Sequence, residues 1–471
     1  MEHITTHYID GGFVESHGRT PMEIVSPVTG ELIGDGLLGD VTDARAAVRA
    51  ARDALPGWSA TTVAERQHHL RRLADAVEKH RDELAGTMST EYGAIAAFSG
   101  FVVDASRDWY RQAARILDSF SFAERINDAV VRRVPVGVAV LISPWNGSAW
   151  FMAMKSAAAL AAGCTVVMKP SENSILQSQA FAKVVHDAGL PHGVINIVYG
   201  LGEDVGTELA TNPDVDKISF TGSTAVGKII ARNALGTMKR VTLELGGKAP
   251  IVLLDDADLA QAVPFALRVW LYNSGQACTS GTRLLVPRHR VEEVKAAVLD
   301  QIGRFPAGLP HDPQSRVGPM VTRAHYDRVQ AYIRTGLDEG ATLLTGGLGK
   351  VPGLEAGHYA RPTVFVDVEP QMTIAQEEIF GPVLAVIPYA DDAEAVEIAN
   401  GTDYGLLAYV AGEREHAERL ASRIRAGRVV VNRPVSDQDV PFGGFQQSGI
   451  GREFGRFGIA EYLEYSAVFS S

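Results

Sequence analysis

The sequence predicts an α/β protein of two lobes, each built on a parallel sheet crossed by helices. Three observations carry that expectation. The chain has 471 residues, too many for one ordinary core, so two or more domains follow from length alone. After residue 130, short β-rich runs alternate with helical ones: VGVAVLISP, FMAMKSAAALAAG, CTVVMKP, SQAFAKVVHDAG, VINIVYG and KISFTGS. The same rhythm resumes after residue 280 with RLLVP, a helix near VEEVKAAVLDQIG, then ARPTVFVDV, VLAVIPY and RVVVN. Strands that alternate with helices need crossover connections, and crossovers bring the strands parallel.

The elements follow in order. From VTDARAAVRAARDALPGW to TTVAERQHHLRRLADAVEKHRDELAGTMSTEYG, apolar residues recur at three- and four-residue spacing, and Thr62 with Glu65 suits a capping box. The N-terminal quarter is therefore expected to be helical. The apolar run from about Ala149 to Val167 is broken by Lys155 and is rich in Ala and Gly, which marks a buried helix and not a membrane span. No repeat or low-complexity tract interrupts the chain.

Composition narrows the function classes. Hydrophobic residues make up 46% and charged residues 21%, as in soluble globular proteins, and 47 glycines imply many tight turns. Lys and Arg total 44 against 56 Asp and Glu, a net charge of −12, which argues against nucleic acid or an anionic membrane as partner. The start, MEHITTHYIDGG, lacks a basic region followed by an apolar one, so no secretory signal is expected. Cys164 and Cys278 are the only cysteines, too few for a disulfide framework, and the cytoplasm is the default compartment. No metal site is expected.

Parallel strands place ligands beyond their carboxyl ends, so loops directly after strands should bind. VLISPWN ends on Trp145 and Asn146, VVMKPSE on Lys169 and Glu172, and ISFTGSTAVG on Gly222, Ser223 and Gly227. A helix starting near Ser223 would offer free N–H groups to a phosphate. On residues alone, a glycine turn before a surface helix and a solvated Lys–Glu pair remain open readings. Glu244 stands beside Gly246 and Gly247 in LELGGKAP, as a base or as a loop carboxylate. Cys278 lies in NSGQACTSGTR among residues too small to bury it, where close backbone approach and N–H groups would favour a thiolate and an oxyanion. Cys164, inside LAAGCTVV, reads as core.

These residues resemble the aldehyde dehydrogenase superfamily from about residue 10 to the end. Eight segments stand in family order: SPWN, KPSE, FTGST, ELGGK, GQACTSGTR, EEIFGPV, NGTDYGL and PFGGFQQSGIGRE. The resemblance implies a hydrolytic, NAD-dependent enzyme with two Rossmann-like parallel-sheet domains and a small β oligomerisation arm. The NAD-binding domain would span 1–117 and 138–245, the catalytic domain 246–449, and the arm with the C-terminal tail 118–137 and 450–471. Cys278 matches the nucleophile, Asn146 with the Cys278 N–H the oxyanion hole, and Glu244 the base that activates water. Lys169 and Glu172 match contacts to the adenine-side ribose, where a carboxylate favours NAD over NADP. Gly222 and Ser223 match the pyrophosphate turn, Trp145 the wall beside the nucleotide, and Glu378 with Phe380 the nicotinamide-ribose contact and ring support. Lys155 and Glu453 match supporting positions. EYLEYSAVF reads as a terminal strand that pairs with a partner's sheet edge, giving a homodimer or homotetramer.

Departures from the family pattern concern the substrate. Gly147 follows the asparagine where an aromatic residue is common, which opens the pocket floor to Phe151, Met154 and Tyr272, with Trp150 as a further wall. Phe442 belongs to the same expected pocket. Gln446 replaces a usual lysine. In the loop VNRPVSDQDVPFGG, Arg433 would suit a carboxylate-bearing aldehyde and Asp437 or Asp439 an amine. Two other classes stay open. A CoA-acylating enzyme usually lacks the glutamate found here as Glu244, and a non-enzymatic nucleotide binder would tolerate loss of Cys278, Asn146 or Glu244.

Overall fold

The computed structural model describes residues 1–433 and 437–469; residues 434–436, inside the VNRPVSDQDVPFGG loop, lie outside it. Two large sheets organise the chain. The first has eight strands in the order Gly449–Ile450, Arg240–Glu244, Lys217–Thr221, Val138–Ser143, Thr165–Pro170, Ile195–Ile197, Thr6–Ile9 and Gly12–Glu15. Its five middle strands are parallel, and the flanking ones pair antiparallel. Strands 138–143, 165–170 and 217–221 are buried at every residue, because helices cover both faces; such strands carry unbroken apolar runs instead of alternation.

The second sheet has seven strands in the order Thr342–Thr345, Thr363–Val366, Val383–Tyr389, Gly281–Pro287, Ala249–Leu253, Leu407–Ala411 and Arg428–Val431, all parallel except the first. Helices Leu259–Trp270 and Arg323–Asp338 pack on it around separate apolar clusters. Among the described residues, no helix is long and apolar enough to cross a membrane.

Two expectations need correction. Residues 41–116 are largely helical, and Thr62 and Glu65 do close a capping box on helix Val63–Lys79. Residues 2–38, however, form five short strands, two of which extend the first sheet. Runs of three to seven residues with irregular burial are too short to show a period. The terminal strand Leu463–Phe469 exists, but its edge is supplied by its own chain. It pairs antiparallel with Ala129–Pro135, from Leu463 opposite Pro135 to Phe469 opposite Ala129, and Ala123–Ile126 completes a three-stranded ribbon.

Candidate active site

Chain order in the first sheet reverses between strands 138–143 and 217–221, so a crevice opens at their carboxyl ends. Trp145 and Asn146 follow one strand, Gly222 and Ser223 the other. A Cβ on Gly222 would sit 2.4 Å from the Phe220 ring, and one on Gly227 would sit 2.5 Å from Leu245, so glycine lets helix Thr224–Ala234 lie close to the sheet. The Ser223 hydroxyl caps that helix, accepting the Val226 N–H at 3.4 Å. Lys169 is buried, with Nζ donating to the Pro170 carbonyl at 3.3 Å and standing 4.0 Å from Glu172; burial lowers its pKa.

In the second sheet the rule inverts, and the site residues precede their strands. Four residues, Leu245 to Lys248, carry the chain from strand 240–244 to strand 249–253. This crossing sets the carboxyl edge of one sheet against the amino edge of the other. The double glycine within it is required by contact. A Cβ on Gly246 would fall 2.5 Å from the Glu378 carboxylate, and one on Gly247 2.6 Å from the Cys278 carbonyl. The Gly247 N–H donates to Glu378 at 2.8 Å. Burial pushes the Glu378 carboxyl up to about 7, against the pull of that N–H, Lys248 and Arg328.

The loop before Cys278 is strained and braced. Asn273, Ser274 and Gly275 all have positive φ, at 50°, 60° and 75°, a conformation that costs about 1–3 kcal/mol at each non-glycine residue and persists only when neighbours enforce it. The enforcement is visible. The Tyr92 hydroxyl donates to Asn273 Oδ1 at 2.8 Å, the Gly318 N–H donates to Ser274 Oγ at 2.7 Å, and the buried Gln276 side chain bonds both Pro319 and Val321. Asn273 Nδ2 donates to the carbonyls of Asn146 and Gln276, each at 3.1 Å, and Asn146 Nδ2 donates to the Gln276 carbonyl at 2.9 Å. Asn146 is thus clamped to the cysteine loop with one of its two amide hydrogens still free. Cys278 itself is half-buried, and burial, followed by the Glu378 and Glu244 carboxylates, pushes its thiol up.

Glu244 is 3% exposed, and neither of its oxygens has a partner among the described residues. Burial first and Glu453 second raise its pKa, opposed by Lys155 and Arg452. Lys155 and Glu453 neutralise each other at 2.5 Å, with Ser219 Oγ 2.9 Å from the ammonium and 3.1 Å from the carboxylate, so both are structural supports. Trp145 centres an aromatic shelf, its ring 5.4 Å from Tyr92 and 5.6 Å from both His325 and Phe380. Burial pushes the His325 imidazole down to about 4, and the neutral ring bonds the Phe380 carbonyl at 2.7 Å.

Pocket residues divide. Phe151 and Tyr272 are half-buried near Gly147 and the cysteine loop, whereas Met154 faces Trp109, Lys155 and Phe454 across a small cavity. Phe442 stacks on Phe454 at 4.8 Å under the Arg428 guanidinium. Arg433 is exposed, and its side chain makes no hydrogen bond among the described residues; Gln446 is exposed as well. Asp439 cannot receive an amine as the sequence reading allowed, because Arg115 and Gln112 already hold its carboxylate at 2.9–3.0 Å. Tyr92, Asn273, Gln276 and His325 were not legible as site residues. Only the asparagine and glutamine, small polar neighbours of Cys278, gave a signal.

A dinucleotide fits this donor set, with Lys169 and Glu172 at one end, a capped helix start in the middle and the half-buried Glu378 at the other. A crevice of that kind opposed by a thiol defines a nucleotide-dependent oxidoreductase. The Aldehyde dehydrogenase family model matches residues 13–468. A 3-succinoylsemialdehyde-pyridine dehydrogenase from Pseudomonas sp. is 42% identical over 464 residues, 98% of this chain and 97% of that one. A cysteine-to-alanine mutant of aldehyde dehydrogenase C from Pseudomonas syringae, solved with NAD+ and octanal, superposes with a TM-score of 0.97 at 44% identity, covering 99% of this chain and 96% of that one. An NAD+ complex of a Bacillus cereus aldehyde dehydrogenase gives 0.95 at 37% identity, covering 99% and 96%. The chain belongs to the aldehyde dehydrogenase family. Its reaction is the NAD-dependent oxidation of an aldehyde.

Proposed function

We propose that Cys278 is the nucleophile of this oxidation, Asn146 its oxyanion donor and Glu244 its base, with water as the final acyl acceptor. The observation that carries this reading is the four-residue crossing that packs Glu378 and the Cys278 carbonyl on Gly246 and Gly247, directly after Glu244, whose carboxylate helps to push the thiol up. Ionised Glu244 takes the Cys278 thiol proton and passes it to solvent as the sulfur adds to the aldehyde carbon, and the second hydrogen of Asn146 Nδ2 meets the oxygen as it becomes negative; losing such a donor costs about 3 kcal/mol. NAD, when bound, accepts the hydride that leaves that carbon. Cys278 then holds the acyl group as a thioester. Glu244, its oxygens unpartnered, takes a proton from water, whose oxygen attacks the acyl carbon; the acid leaves and the thiol is restored. An ionised Glu244 is a strong base because its burial disfavours the charge.

The same reading assigns Lys169 and Glu172 to the adenine-side ribose, where the Glu172 carboxylate repels a 2′-phosphate and favours NAD over NADP. Both cysteines are unpaired and the chemistry needs a reduced thiol, so the cytoplasm is the compartment proposed. Tyr465, Val468 and Phe469 are 69%, 46% and 79% exposed on an outer strand of the ribbon, and a second copy of the chain is the proposed cover, giving a homodimer or homotetramer. The test of the reaction is NADH absorbance with aldehydes, with and without CoA. Wild type should turn over without CoA, and Cys278→Ser should lose at least about 10³-fold in kcat. Full activity in that variant overturns the mechanism.

A further inference from the structure

Five aromatic rings close an arc around the approach to Cys278, and neither end of the arc carries a charge. Phe151 stacks on Trp150 at 5.6 Å, Trp150 meets Phe101 edge-on at 6.0 Å, Phe101 lies 6.3 Å from Phe98, and Phe98 meets Tyr272 edge-on at 5.3 Å. One end, Tyr272, opens the segment that leads to Cys278; its carbonyl accepts the Ser280 hydroxyl just beyond the thiol. The other end stands over Gly147, next to Asn146. A Cβ built there would meet the Phe151 and Trp150 rings at 3.6 and 3.8 Å, ordinary van der Waals contact, so this position lies directly against the rings. Phe98 and Phe101 come from helix Ala96–Ile116, which packs in the same core as Trp150 and Phe151; they are spaced i and i+3 on one face, and Phe101 is 38% exposed. The acidic groups on and against that helix are paired: Asp104 with Arg81 and Asp439 with Arg115.

We infer that this arc selects aldehydes with an uncharged aromatic or medium-length aliphatic body over short aldehydes and over those bearing a carboxylate or a quaternary ammonium, with Phe98 and Phe101 as specificity residues. The inference rests on the aldehyde oxidation proposed above and names its substrate class. Its physical cause is desolvation. Each methylene buried against the rings strengthens binding about fourfold, whereas a carboxylate brought beside them loses its water without gaining a partner. A quaternary ammonium would meet ring faces with no carboxylate among the five rings to balance its charge.

The test measures kcat/KM at saturating NAD for propanal, hexanal, octanal, 3-phenylpropanal, succinic semialdehyde and betaine aldehyde. Octanal, 3-phenylpropanal or both should exceed propanal and both charged aldehydes at least tenfold, and the pair separates alkyl from aryl bodies. In Phe101→Asp and, independently, Trp150→Leu, the ratio of the preferred apolar aldehyde to propanal should fall at least fivefold. If NADH forms but a charged aldehyde equals or exceeds the apolar ones, or the ratio holds in both variants, the substrate class is wrong and the oxidation stands. If no aldehyde gives NADH, the oxidation itself fails.

Discussion

At the scale of single residues, the site is a set of groups whose ordinary ionisation has been displaced by burial. Burial pushes the Glu378 carboxyl up to about 7, and in its proposed contact with a ribose hydroxyl the ionised form is the stronger acceptor. A raised carboxyl loses its proton as pH rises through that value, so KM for NAD should fall between pH 6 and pH 8, and Glu378→Gln should flatten the trend. Steady-state kinetics across that range checks it. The Tyr92 hydroxyl is a second point of leverage, because it anchors the strained Asn273. Tyr92→Phe should lower kcat/KM about tenfold, equivalent to ~1.4 kcal/mol, and change the rate at which iodoacetamide alkylates Cys278, while leaving KM for NAD near its original value. Cys278, Glu244 and Asn146, the catalytic residues proposed, stand in motifs that are local and chemically marked. Tyr92 and His325 were not, since each reaches the site from far along the chain and stands in an unremarkable helical stretch.

Among elements, charge pairs fasten helices to strands in ways a sequence does not announce. His416, on helix Arg414–Ala421, bonds Asp256 at 2.6 Å with one ring nitrogen and Asp392 at 2.7 Å with the other, joining three separate segments of the second lobe. Those two carboxylates raise its pKa. A histidine raised in the folded state contributes its stability below its unfolded pKa and loses it as pH rises through the folded value. His416→Gln should therefore lower the urea midpoint at pH 6 and leave it unchanged at pH 9; solvent screening keeps the effect under about 1 kcal/mol. The alternation of strand and helix after residue 130 was readable from composition because most of the parallel strands are buried along their length. The N-terminal strands were not, because runs of three to seven residues with irregular burial show no period.

For the molecule as a whole, the two parallel-sheet lobes were legible and the way they face each other was not. The rule that ligands gather beyond strand carboxyl ends located the first half of the site, yet in the second sheet Cys278, Glu378 and Phe380 stand ahead of their strands. No pattern within either lobe could show that inversion, since it follows from how one lobe faces the other. Strand 463–469 leaves Tyr465, Val468 and Phe469 exposed, so if the proposed oligomer forms through them, Tyr465→Glu together with Phe469→Glu should give monomers by light scattering without disturbing the ladder to 129–135. The link between lobes has a mechanical consequence as well. Four residues span at most about 14 Å when fully extended, and here they run through the middle of the reaction centre. With Glu378 bonded to Gly247 and the Cys278 carbonyl packed against the same residue, the distance between thiol loop and carboxylate is set by a segment too short to let them drift apart.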